Sequence, residues 1–342
     1  MKRLAWAGGL AGLALFLGLL VREGWVQVAT ALSGAGFALL WLVPFHAIPI
    51  VLDAQGWRVL LAPVDPQGRA SLLFLSWVAT VREAVNRLLP TANLGGDLVG
   101  IRLARLRIPD TGAVAASVIL EMLLTLVNQY IFTSIGLMLL LMALPAGPHA
   151  TTLGIVLLVA LLPLGLLSWV LRHGALFTRI ETLAKRILGD HHRLFTYVDG
   201  ADLDHKIRLL YAQPYRLFIS LMWQLAGYMI GSLETWFALF LLGHRVSAGA
   251  AIGIEALSQA TRIFLFMFPA GLGVQEASVV LFAGLAGVGG HIGLSLALAK
   301  RMREILFGVP ALLSWQWLEA RFLKRSIDPN GASVAVIIPE QH

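Results

Sequence analysis

The sequence predicts an all-α polytopic membrane protein with six crossings and two re-entrant broken-helix hairpins, arranged as inverted repeats with both termini in the cytoplasm. Three observations carry this reading. The 342 residues are 58% hydrophobic and 13% charged, with mean hydropathy +0.79, whereas soluble domains are about 45–50% apolar and about 25% charged. Two apolar stretches are each broken midway by proline and glycine, RLLPTANLGGD and FMFPAGLGVQEAS. The basic residues are distributed one-sidedly between the segments. An ordinary soluble enzyme, a disordered chain and a collagen are excluded by composition. The absence of cysteine removes disulfide frameworks, cysteine zinc sites and thiol nucleophiles. The surplus of 26 Lys and Arg over 19 Asp and Glu is read as a record of topology, not as a nucleic-acid surface.

The elements follow in order. Residues 4–21 are 18 uncharged positions behind Lys2 and Arg3. That length crosses a bilayer core of about 30 Å at about 1.5 Å per residue, and it exceeds the apolar run of a typical cleaved signal peptide. A second span is read at 36–60, a hairpin at 71–107 broken at its Pro/Gly motif, and a span at 110–143. These complete a first membrane repeat, 1–145. The second repeat, 146–320, comprises a span at 151–171, a cytosolic connector of amphipathic helices at 172–213, a span at 215–243, a hairpin at 248–289 and a span at 291–319. The remainder, 321–342, reads as a cytosolic tail. Irregular backbone survives at membrane depth only where protein or a wet cavity covers it, so the two breaks are where a site is sought.

Charge tests the orientation. With the N-terminus inside, 18 basic residues face the cytoplasm: Lys2, Arg3, Arg58, Arg69, Arg102, Arg105, Arg107, eight from Arg172 to Arg216, Arg321, Lys324 and Arg325. Arg22 and Arg245 fall outside, as the positive-inside rule requires.

The two halves share a register of 179 residues. It pairs Pro90 with Pro269, Asp97 with Glu276, Trp57 with Trp236 and Gln55 with Glu234, and it lays the stretch from Glu121 to Thr125 over that from Lys300 to Glu304. Three crossings separate the hairpins, so the second opens to the opposite face. Span, span, hairpin, span in each half is an arrangement familiar from secondary transporters, whose site lies at the midplane.

Charged residues sit where charges are costly. Arg82, Glu83, Asp97, Glu121, Glu234, Glu255, Arg262, Glu276, Lys300, Arg301, Arg303 and Glu304 all fall at membrane depth in this reading, as does Arg87. An ionised group there costs about 2.5–3.5 kcal/mol on insertion scales and normally faces a cavity or a counter-charge. Two roles stay open for them, internal ion pairs or contacts to a substrate. Asn86 and Asn93 flank the first break and could donate to a head group or satisfy frayed carbonyls. His46 and Pro49 lie inside the second span, where proline is read as a kink. His173, His191, His192 and His205 lack metal-ligand spacing, so no metal and no cofactor is expected. No Walker A, H-E-x-x-H, G-x-S-x-G or kinase signature occurs, and no catalytic residue is assigned.

The stretches REAVNRLLPTANLGGDLVGIR (82–102), FPAGLGVQEA (268–277) and SLALAKRMREILFGVP (295–310) resemble the flippase-like family named for the transmembrane region of lysylphosphatidylglycerol synthase, most of all its branch associated with bacterial hopanoid biosynthesis. The resemblance runs from the first span to Gln316. It implies a multi-pass protein of the bacterial cytoplasmic membrane that moves lipid, a hopanoid or a phospholipid, between leaflets, with hopanoid biosynthesis proteins as possible partners. By that similarity Asn86, Pro90, Gly95, Gly96 and Asp97 form the first hairpin motif. Pro269, Gly271, Gly273, Gln275 and Glu276 belong to the second, and Arg301 and Arg303 are the span charges. Many relatives carry E-R-x-x-D in the third span; here Glu121 is followed by Met122 and Thr125, so a reduced ionic cluster is expected in the first half. No soluble aminoacyl-transfer domain follows the last span, so the resemblance implies moving lipid and not lysylating it. The alternatives are a noncatalytic membrane partner of hopanoid enzymes and an integral-membrane lipid transferase.

Overall fold

The computed structural model describes residues 16–89, 95–143, 200–264 and 273–327, and among them every regular element is helical. Most of the expected span 4–21, the span 151–171, residues 172–199 of the connector, and Pro90, Asn93, Pro269 and Gly271 lie outside the described residues.

After a short helix at 16–23, Gly24 with φ 84° breaks the chain. Helix α1 (Trp25–Ala35), a 3-10 segment (Gly36–Trp41) and α2 (Leu42–Leu61) then run on without a loop. The helical stretch therefore begins 11 residues before the expected boundary at 36, because residues 25–35 hold no proline and Gly36 bends the run without ending it. Trp25–Leu61 and Thr111–Leu140 are long and apolar enough to cross a membrane.

The first broken hairpin is α3 (Leu72–Leu88) and α4 (Gly95–Ala104). Ser71 caps α3 by accepting from the Phe74 amide at 3.3 Å, satisfying one of the free donors of its first turn. Helix α5 (Thr111–Ala143) is capped in the same way by Asp110, which accepts from the Ala113 amide at 3.0 Å. Next come α6 (Gly200–Tyr211) and α7 (Pro214–Leu241), with proline at the first helical position, where its missing N–H costs nothing. The second broken hairpin is α8 (Ala248–Phe264) and α9 (Val274–Leu285). Helix α10 (Gly290–Ile327) runs past the expected end at 319, so the segment read as tail starts helical. The cause is local: LEARFLKRSI holds no helix breaker before Pro329.

The 179-residue register is structural as well as sequential. Helices α4 and α9 begin 179 residues apart, and so do α5 and α10. Packing repeats too: α3 lies on α10 as α8 lies on α5, α2 and α3 pair as α7 and α8 do, and α4 meets α5 as α9 meets α10. The repeat mates α2 and α7 pack against each other and run antiparallel. A methyl on Gly56 would lie 3.1 Å from the Ser220 carbonyl, and one on Gly227 would lie 3.3 Å from the Pro49 carbonyl.

Apolar burial forms two main cores. One gathers Trp57, Leu61, Leu75, Val78 and Val118 with Ala311, and the other gathers Leu42, Leu239, Ile254, Val279 and Leu296 with Ala299. On α10 the charged stretch from Lys300 to Glu304 falls between Ala299 of one core and Ala311 of the other. One end of the bundle carries a group of surface charges, with Arg102 to Glu319 at 2.7 Å, Lys206 to Asp110 at 2.7 Å and Arg216 donating to the Val59 carbonyl at 3.4 Å.

Candidate functional site

Ionic side chains from eight helices meet between the two apolar cores. Arg82, projecting from α3, donates to Glu121 on α5 at 2.8 and 3.0 Å and to Asp97 in the first turn of α4 at 2.7 Å. Its guanidinium lies 4.9 Å from the Trp57 ring centre, a cation–π contact, and the Trp57 indole donates to Ser117 at 3.1 Å. The pairing needs α3 and α4 very close, which glycine provides. A methyl on Gly96 would sit 2.3 Å from the Arg82 carbonyl, and one on Gly100 would sit 2.5 Å from the Arg82 side chain. Asn86 accepts from the Gly96 amide at 2.8 Å, so its observed role is to satisfy the opening turn of α4, which starts at Gly95.

The second half holds a matching but not identical set. Gly273, with φ 74°, sits just before α9 in a conformation that favours glycine, and it delivers Gln275 and Glu276 to the first turn. Arg301 on α10 reaches Glu276 at 3.0 Å and Glu304 at 3.0 Å. Gln275 donates to Glu304 at 3.1 Å, and Arg262 approaches Gln275 at 3.5 Å. Lys300 pairs with Glu255, which also accepts from Thr235 at 2.5 Å and Gln259 at 2.9 Å. Glu121 and its repeat mate Lys300 thus each bind the first helix of a hairpin, with opposite charge signs.

Between these sets lies a third group joining both halves. His46 on α2 places Nδ1 2.9 Å from Glu234 on α7 and Nε2 3.0 Å from Glu83 on α3. Arg303 on α10 places one guanidinium nitrogen 2.7 Å from the same Nε2. Its Nε lies 3.0 Å from Glu234, close as charges but misaligned for a hydrogen bond. Arg87 lies 3.6 Å from Glu83 and 4.0 Å from Glu304. A pocket opens here, lined by His46, Thr80, Glu83, Arg87, Arg303 and Glu304 with Ala84, Phe307 and Gly308. Arg82 and Arg301 do not line it; each is held in its own half by carboxylates.

The expectation of a reduced ionic cluster in the first half is corrected. Glu121 is followed by Met122, but Arg82 reaches Glu121 from α3 and supplies the cation. Sequence reasoning assigned no site role to His46, Asp53, Trp57, Thr235 or Gln259. A signal existed for three of them: His46, Asp53 and Trp57 recur at helical spacing along one face of α2, and Asp53 lies within the field of Arg82. Among the described residues no group of His, Cys, Asp and Glu has the arrangement of a metal site.

The family model described as the lysylphosphatidylglycerol synthase TM region matches residues 6–311. No curated protein and no solved structure matches the chain.

Proposed function

Because the chain belongs to the family of the lysylphosphatidylglycerol synthase transmembrane region, a membrane family of lipid-related function, we propose that it moves a polar lipid between the leaflets of the bacterial cytoplasmic membrane. The observation that carries this reading is the ionic layer itself. Glu83, Glu234, Arg303 and His46 join the two repeat halves between apolar cores, and Glu83, Arg303 and His46 border a pocket. Small-residue packing and uncharged contacts hold membrane bundles at lower cost, and replacing a buried ion pair by apolar residues is often neutral or stabilising. A charged layer at the seam between repeats is therefore better accounted for by a head group that must pass it than by stability.

In this reading the bundle makes six crossings and the two broken helix pairs are re-entrant, entering from opposite faces, as the antiparallel contact of α2 and α7 suggests. The end carrying Arg102, Lys206 and Arg216 faces the cytoplasm, in accord with the positive-inside rule. The head group contacts the pocket-lining Glu83, Arg87, Arg303 and Glu304 while the acyl or polycyclic body stays in lipid. The likeness of the two hairpin motifs to the hopanoid-associated branch makes a hopanoid or a related lipid the first substrate to test.

The test is reconstitution. Proteoliposomes holding the purified chain should speed the exchange of at least one member of a panel of hopanoid and phospholipid analogues over protein-free vesicles. Failure with every member would reject the reading. A deletion strain that lacks a hopanoid species, instead of misplacing it between leaflets, would favour a transferase.

A further inference from the structure

The ring of His46 is asked for two incompatible contacts at one nitrogen. Nε2 lies 2.7 Å from an Arg303 guanidinium nitrogen, which is always a donor, and 3.0 and 3.2 Å from the Glu83 carboxylate oxygens, which accept when ionised. Nδ1 is committed to Glu234 at 2.9 Å. A neutral ring with its proton on Nδ1 donates to Glu234 and accepts from Arg303, leaving Glu83 against a lone pair. A protonated ring donates to Glu234 and to Glu83, and then presents an N–H to the N–H of Arg303.

We propose that His46 is a proton-binding switch, with one proton added at Nε2 exchanging its Arg303 partner for Glu83. The balance is simple: a proton from water bonds to the Nε2 lone pair, the Arg303 hydrogen bond to that lone pair breaks, and Glu83 gains a donor. The groups facing the ring from each neighbouring helix are Glu83 and Arg87 on α3, Glu234 on α7, and Arg303 and Glu304 on α10, with the Phe307 ring 5.3 Å away edge-on. Glu83 belongs to the first repeat and Arg303 to the second, so the exchange loosens α10 from α2 at the seam. Resting on the transport reading above, this makes the proton the coupling ion, for which no nucleotide motif competes.

Two measurements separate the switch from the transport reading. In the first, full-length protein with ¹⁵N-labelled histidine is followed by NMR in nanodiscs from pH 5 to 9, with the His46 signals identified by their loss in H46Q. If H46Q fails to fold, E83Q identifies them by a selective change. Nδ1 should stay protonated throughout while Nε2 converts from a bare to a protonated nitrogen as pH falls. A Nε2 in one state across the whole range, or a proton moving on Nδ1, overturns the proposal.

In the second, vesicles of phosphatidylcholine with a trace of fluorescent phosphatidylethanolamine carry an imposed gradient of about one pH unit. One proton per lipid permits a leaflet ratio of up to about tenfold. The wild type should build such an asymmetry and R303M should not. Equal leaflets in a wild type that does exchange lipid would refute coupling while leaving transport standing. If neither this probe nor any member of the hopanoid and phospholipid panel moves, transport falls and the NMR result alone decides whether the proton site exists.

Discussion

The guanidinium of Arg303 on α10 lies 3.0 Å from the carboxylate of Glu234 on α7, and His46 bridges the two, touching one with each ring nitrogen. The register mates of Arg303, Glu234 and His46 are Leu124, Gln55 and Leu225, so the repeat does not duplicate this contact. The layer is built from two unlike halves that complement each other in charge.

Arg82 is the cation that the carboxylates of Glu121 and Asp97 share. Its replacement by methionine keeps much of the volume and leaves Glu121 and Asp97 without their shared partner. Breaking a buried pair from one side costs about 3–5 kcal/mol, so R82M should melt well below wild type in detergent. The double variant R82M/E121Q should recover part of that loss. No recovery would mean that Arg82 acts mainly through its packing on Trp57.

Arg303 makes the opposite case. R303M should leave a folded protein, since Glu234 keeps His46 as a partner. It should abolish lipid exchange if this guanidinium meets the head group. Wild-type exchange rates in R303M would assign it to internal pairing alone.

The close approach of α3 and α4 is testable by one methyl group. G96A places a carbon 2.3 Å from the Arg82 carbonyl, where backbone has to move, so it should destabilise the protein and displace Asp97 from Arg82. At Gly284 on α9 a methyl meets nothing within 4 Å. G284A should therefore be neutral or stabilising, by up to about 1 kcal/mol from helix propensity. Thermal unfolding of both variants in the same detergent reads the contrast.

The helix bounds near the two breaks were legible because proline and glycine end helices for local reasons, and the 179-residue register was legible because both halves keep that punctuation. The long α10 and the start at Trp25 were not, since nothing stops the helix at 319 and Gly24, which does break the chain, is one glycine among many in an apolar run. The ionic partners were harder still. Arg82 with Glu121 joins α3 to α5, and His46 with Arg303 joins α2 to α10; no spacing along the chain encodes a contact made by packing. The charges themselves stood out as costly, but their cost did not name the pairs that packing brings together.

At the charged end, pH should act through Asp110. Burial alone would raise its carboxyl, but the hydrogen bond from Lys206 and those from the Ala113 and Gly112 amides outweigh it and hold the carboxyl below its ordinary value. A group lowered on folding binds its proton more readily in the unfolded chain. Its contribution is thus present above the ordinary aspartate value near 4 and fades as pH falls below it. D110N, which keeps an oxygen for the cap, should flatten the acid side of the melting profile, and D110A should also cost about 1 kcal/mol from the lost cap at neutral pH. An unchanged acid limb in D110N would locate the acid sensitivity elsewhere.

Asp97 and Glu276 offer the sharpest division between structure and transport. Each is a register mate of the other, each stands in the first turn of the second helix of its hairpin, and each is paired with an arginine, Arg82 at 2.7 Å and Arg301 at 3.0 Å. A carboxylate there also complements the positive end of the helix dipole. D97A and E276A remove all of this and should damage folding whatever the protein does. D97N and E276Q keep an oxygen that accepts from arginine but remove the charge. If the acids serve structure alone, both conservative variants should exchange lipid at close to the wild-type rate once folded. If they set the charge that a passing head group meets, exchange should fall at least tenfold, a rise of about 1.4 kcal/mol in the barrier, while melting temperature changes little. Rate and melting temperature falling together in D97N would return Asp97 to the role of a packing residue and leave the transport reading to rest on Arg303 and Glu83.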